Sequence, residues 1–129
     1  MPEVPGTEVV SVEIPALPAY LRVVRLVASG LATRLKFTLD EIEDLKIAVD
    51  ELAAYMTGSQ GREGSLRIDF AVSEQRIEIT GTGHLEPGSK VRTELTDFSR
   101  TILETVVDAA SLEQLDGMPV FRLVKTKVQ

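Results

Sequence analysis

A chain of 129 residues that is 43% hydrophobic and 26% charged has the size and balance of one soluble globular domain covering residues 1–129. Its 20 acidic side chains outnumber its 14 basic ones, and the resulting formal charge of −6 argues against a general binder of phosphate backbones, so no direct nucleic-acid partner is expected. The absence of cysteine excludes disulfide frameworks, thiolate metal sites and cysteine nucleophiles.

No apolar stretch approaches the roughly 20 residues that cross a bilayer. The opening MPEVPGTEVV has neither the positive n-region nor the apolar h-region of a signal peptide. The expectation is a cytoplasmic protein with no membrane partner. The first residues, with Pro2 and Pro5, read as a short tail. Glu8 to Ile14 then alternates, Val10, Val12 and Ile14 on one side and Ser11 and Glu13 on the other, which predicts a half-buried strand ended by Pro15. Pro18 suits the first turn of a helix. From Tyr20 to about Leu35, the residues Leu21, Val24, Val27, Ala28, Leu31 and Leu35 keep helical spacing, with Arg22 and Arg25 away from the stripe. Gly30 inside this helix suggests close packing, since glycine otherwise costs about 1 kcal/mol there relative to alanine.

The next helix has the clearest start. Thr38-Leu39-Asp40-Glu41 fits a capping box, and Phe37 and Ile42 sit where a hydrophobic staple places them. Ile42, Leu45, Val49, Leu52 and Met56 form its apolar stripe, Asp44, Glu51 and Tyr55 its opposite face, and Gly58 its terminator. Glu51 and Tyr55, four apart, are neighbours on one surface. Gly58 to Gly64 reads as a polar loop. Leu66, Ile68, Phe70 and Val72 alternate as a strand, Ser73-Glu74-Gln75 turns the chain, and Arg76 to Thr80 alternates again as the second arm of a hairpin. Gly81 to Lys90 is Gly-rich and reads as a mobile loop. Thr96 or Asp97 caps a third helix bearing Phe98, Ile102, Val106 and Ala109. Ser111 to Leu115, an Asp116-Gly117 turn and Met118 to Lys127 make a closing hairpin. The order strand, helix, helix, strand, strand, helix, strand, strand predicts an α/β fold of the α+β kind. This is a two-layer sandwich with helices on one face of a mostly antiparallel sheet.

Two segments carry a resemblance. Ile42 to Leu52 (IEDLKIAVDEL) resembles the helix bearing the N-box of GHKL, or Bergerat-fold, ATPases, and within them the bacterial anti-sigma factor serine kinases. Thr101 to Asp108 (TILETVVD), followed by a hairpin ending in Phe121-Arg122-Leu123-Val124-Lys125, is similar to the C-terminal third of that family. With the matching order of elements, the resemblance covers nearly the whole chain. It implies a general-base glutamate at Glu51. The asparagine that ligates Mg²⁺ four residues later is replaced by Tyr55, a poor ligand for a compact octahedral shell. The family's Asp-x-Gly-x-Gly, whose aspartate binds adenine, corresponds to Gly81-Thr82-Gly83, with Gly81 in the aspartate position. The phosphate-cradling Gly-x-Gly at the start of the third helix corresponds to Asp97-Phe98-Ser99. Contacts to metal, base and phosphates are thus all substituted, which implies a degenerate nucleotide site at Tyr55, Gly81, Gly83, Asp97 and Ser99.

Plainer readings stand beside these. Glu51 also reads as a solvated helix glutamate, and the run Glu41, Glu43, Asp44, Asp50, Glu51 as a solvated face. Tyr55 also reads as a space filler, Gly81 and Gly83 as a turn, and His84, the sole histidine, as a solvated loop residue without partners for a metal. No Ser-His-Asp arrangement is legible. The reading adopted is an anti-sigma regulator that sequesters a sigma factor and is captured by an anti-anti-sigma partner. No cofactor and no metal site are expected. The alternative is a serine kinase that phosphorylates the anti-anti-sigma factor with ATP and Mg²⁺, Glu51 acting as base. Homodimer formation is compatible with the resemblance, and Arg22 and Arg25 are the exposed first-helix residues expected at a partner surface.

Overall fold

The computed structural model describes residues 7–128, so the tail containing Pro2 and Pro5 lies outside the described residues. The elements run β1 (Glu8–Pro15), a 3₁₀ turn (Pro18–Tyr20), α1 (Leu21–Arg34), α2 (Leu39–Thr57), β2 (Gly64–Ser73), β3 (Arg76–Leu85), α3 (Asp97–Val106), β4 (Ala109–Leu115) and β5 (Met118–Thr126). The strands form one sheet in the order β1-β2-β3-β5-β4, every neighbouring pair antiparallel. The two-layer α+β sandwich expected from the element order is what forms.

Alternation places the core on one sheet face. Leu66, Ile68 and Phe70 of β2, Ile77 and Ile79 of β3, and Phe121 and Leu123 of β5 are fully buried. Val24, Ala28 and Ala32 of α1 and Leu45, Val49, Leu52 and Met56 of α2 meet them from the helix layer. The intervening strand residues form a polar outer surface crossed by the ion pairs Arg67–Asp69, Arg76–Glu78 and Arg122–Glu78.

The corner between α1 and α2 is built from local chemistry. Lys36, at φ +64°, is the left-handed residue that ends α1; its amide donates to Thr33 and that of Phe37 to Ala32, the Schellman pattern. Thr38 Oγ1 then accepts from the Glu41 amide at 3.1 Å, and Glu41 Oε1 accepts from the Thr38 amide at 2.7 Å, the predicted capping box. Both staple residues, Phe37 and Ile42, are buried.

Four expectations change. Gly81 to Leu85, expected in a mobile loop, complete β3: Gly81 pairs with Ile68 on one side and Phe121 on the other, and His84, exposed as expected, is a strand residue opposite Ser65. The buried face of α3 is Ser99, Leu103 and Val106: of the expected stripe Val106 is buried and Ile102 packs half-buried against the core, but Phe98 is 74% exposed and Ala109 already belongs to β4. Gly30 is exposed, and a Cβ there meets nothing within 4 Å, so close packing does not explain it. Arg25 is half-buried, its Nε 3.2 Å from Asp50 Oδ1, while Arg22 is exposed.

Candidate functional site

The start of α3 abuts the second half of α2, where Glu51 and Tyr55 stand one turn apart. Thr96 is the N-cap of α3; its Oγ1 accepts from the Ser99 amide at 3.0 Å. The Thr96 amide donates to the Tyr55 hydroxyl at 3.0 Å. That hydroxyl lies 2.7 Å from Ser99 Oγ, and Ser99 Oγ donates to Glu51 Oε2 at 2.6 Å. Thr96 Oγ1 also donates to Ser99 Oγ at 3.0 Å.

Proton counting orders this cluster. Ser99 has one hydroxyl proton, and the Glu51 carboxylate is its strongest acceptor. The Tyr55 phenol then donates to Ser99 and accepts from the Thr96 amide. Donation runs towards Glu51, and the hydroxyl of Ser99, buried with its residue, is satisfied. A serine can therefore occupy the buried face of α3, which explains why the helix turns its Phe98 outwards. Beside the cluster, burial raises the pKa of Asp50 above the ordinary aspartate value, reinforced by the charge of Glu51 and only partly offset by Arg25 and Lys46.

The two glycines lie on the same side of β3 and are covered from the helix layer and β5. A Cβ added at Gly81 would overlap the Phe121 ring, and one at Gly83 would stand 2.9 Å from Pro119 Cγ and 3.3 Å from Met56 Cε. The turn expected at these positions is instead a tightly packed strand. Thus Glu51, Tyr55 and Ser99 converge, Gly81 and Gly83 line a filled interior, and Asp97 is exposed outside the cluster. Two cavities, of about 420 and 180 Å³, open on other surfaces, and none of these six residues lines them. Among the described residues no group of three or more histidine or acidic side chains is placed to hold a metal ion.

The solvated acidic face is also revised. Glu41 is buried, Asp44 lies 3.5 Å from Lys125 Nζ, Asp50 faces Arg25, Glu51 holds Ser99, and only Glu43 of the run is exposed. The sequence did not single out Thr96 or Phe121 as site residues. The cap signal at Thr96 was legible, but the partners of Thr96 and Phe121 are set by packing across the fold.

No family model matches the chain. It is similar to curated proteins named serine-protein kinase RsbW. The Bacillus subtilis (strain 168) protein is 40% identical over 77 residues, covering 57% of this chain and 48% of the relative. The Bacillus pumilus (strain SAFR-032) protein is 41% identical over 78 residues, covering 56% and 48%. The Halalkalibacterium halodurans protein is 40% identical over 76 residues, covering 58% and 47%. The chain spans about half the length of the curated relatives it matches. Over that part of the chain, rather than over nearly all of it, this similarity bears out the resemblance to the serine-protein kinases drawn from the sequence.

Proposed function

We propose that this chain is an anti-sigma regulatory factor that binds and sequesters a sigma factor, is controlled by an anti-anti-sigma partner, and has a nucleotide site given over to structure. Sequestration acts by occluding the sigma-factor surface that engages core RNA polymerase, in the cytoplasm and without a membrane or nucleic-acid partner. Similarity to the serine-protein kinases supports the regulatory family. The observation that carries the rest is the cluster joining Glu51, Ser99, Tyr55 and Thr96.

The residues present do not fit ATP with Mg²⁺. A phosphate cradle at a helix start uses its free backbone amides; here two of them are taken, the Thr96 amide by Tyr55 and the Ser99 amide by Thr96 Oγ1, and the Asp97 carboxylate adds a negative charge at the same turn. The position expected to ligate Mg²⁺ holds a phenol already committed to Ser99 and Thr96. The position expected to bind adenine is Gly81, where the Phe121 ring leaves no room for a carboxylate side chain. Sequestration of a protein partner requires none of these contacts.

The second reading, a serine kinase acting on an anti-anti-sigma factor, is favoured by the relatives' name and by Glu51. Isothermal titration with ATP, with and without Mg²⁺, separates the two. The expected result is no measurable binding at micromolar nucleotide. A micromolar Kd, worth about −8 kcal/mol, together with phosphate transfer to the partner's serine, would establish the kinase. Retention of a sigma factor by the folded protein tests the sequestration itself; if no sigma factor is retained, the anti-sigma assignment fails.

A further inference from the structure

Residues 86–96 join β3 to α3 without regular structure, yet they are tied to the rest of the fold at both ends and at Lys90. The Glu86 amide donates to the Glu63 carbonyl at 3.1 Å, and the Ser89 amide turns back to the Glu86 carbonyl at 3.0 Å. Arg62 Nη1 donates to the Lys90 carbonyl at 3.1 Å. The far end is held by the Thr96 amide on the Tyr55 hydroxyl.

Arg62 is itself fixed. Its Nε donates to the Met56 carbonyl at 2.9 Å, its Nη2 lies 3.4 Å from the Tyr55 carbonyl, and its amide donates to Ala16 at 2.9 Å. Met56 and Tyr55 belong to the last turn of α2, whose carbonyls lack intrahelical donors and favour a cation. A planar guanidinium presents several donors in a fixed fork. One side chain therefore caps α2 and grips the following segment at the same time. The Tyr55 residue takes part at both points: its carbonyl faces Arg62 and its hydroxyl receives Thr96.

We propose that Arg62 and Tyr55 form an internal latch that holds residues 86–96 against the end of α2 in the free protein, so that the conformation of this segment is set without nucleotide. Its regulatory meaning rests on the reading of the site as given over to structure; the latch itself does not. Arg62 and Tyr55 are positioning residues, and their effect is read on the segment they hold.

Amide hydrogen exchange by NMR on the whole chain, with and without ATP and Mg²⁺, tests this. The amides of Glu86, Ser89 and Thr96 should be protected in the free protein and unchanged by ATP and Mg²⁺. Tyr55→Phe should speed exchange at Thr96 at least tenfold. Arg62→Ala should do the same at Glu86 and Ser89, and Arg62→Lys, which keeps the charge but loses the fork, should not restore protection. Amides of the β2–β3 ladder such as Ile79 report whether each variant remains folded, and Arg62→Lys with Tyr55→Phe suffices if Arg62→Ala does not fold. Unprotected segment amides in the wild type, protection that appears only with ATP and Mg²⁺, or no change in the variants would overturn the latch. Titrated nucleotide binding to a protein whose segment is already protected would instead sink the proposed function and leave the latch standing. An unprotected segment without nucleotide binding would do the reverse.

Discussion

Glu41 is buried with one oxygen on the Thr38 amide and the other on the Val128 amide at 2.6 Å. Burial pushes its pKa up, but these amides, the Thr38 hydroxyl and the charge of Lys125 together outweigh burial and leave it below the ordinary glutamate value. A carboxylate whose folded pKa is depressed binds its proton more tightly in the unfolded chain. Its contribution is thus present at neutral pH and is lost as pH falls through the glutamate range, about 4.3, towards the folded value. Glu41→Gln should lower stability by roughly 1–3 kcal/mol at pH 7 and flatten the acid limb, both read from urea midpoints across pH 3–7. At Gly81 the constraint is steric. Gly81→Ala drives a methyl group into the Phe121 ring and should cost about 1–3 kcal/mol. The double variant with Phe121→Leu should recover part of that loss, whereas additive losses in the double-mutant cycle would show that Phe121 is not the obstacle.

Among the elements, α1 offers the opposite case. Gly30 is exposed on a helix interior and its Cβ position is open, so Gly30→Ala should raise stability by about 1 kcal/mol, seen as a higher thermal midpoint without a change in the near-UV spectrum. The start of α2 was legible because every group in its capping box lies within four residues. The face of α3 was not, since burying Ser99 depends on Glu51, a partner 48 positions away in the chain. The end of β3 was hidden for a similar reason: glycines in sequence signal a turn, and only pairing with β2, joined at Gly81 by β5, makes Gly81 and Gly83 a strand. In the site, the four-residue spacing placed Glu51 and Tyr55 together, and the substituted family positions pointed to Gly81 and Ser99. The Phe121 ring against Gly81 and the Thr96 amide on Tyr55 come from register and capping that no local pattern records.

At the scale of the molecule, the charge on α1 divides by environment. Arg25 faces Asp50, so reversing it would set two carboxylates together and disturb the α1–α2 packing. Arg22 is exposed and belongs to none of the ion pairs among the described residues. On the proposed anti-sigma function, Arg22→Glu should slow capture of a sigma factor several-fold at low salt, with the difference shrinking as ionic strength rises and the urea midpoint unmoved. Equal association rates for both proteins would place the arginine outside the interface. The strand order carries a further consequence, for the route by which the chain folds. The hairpins β2–β3 and β4–β5 close tight turns, Ser73 against Arg76 and Leu115 against Met118, whereas β1 reaches its partner between Pro15 and Ser65 at the near end and Glu8 and Val72 at the far end. Closing so long a loop costs entropy before any contact rewards it. The two hairpins should therefore form early and dock through β3 and β5, with β1 zipping on last. Substitutions in β1 would then mainly speed unfolding, while those at the β3–β5 seam would slow refolding.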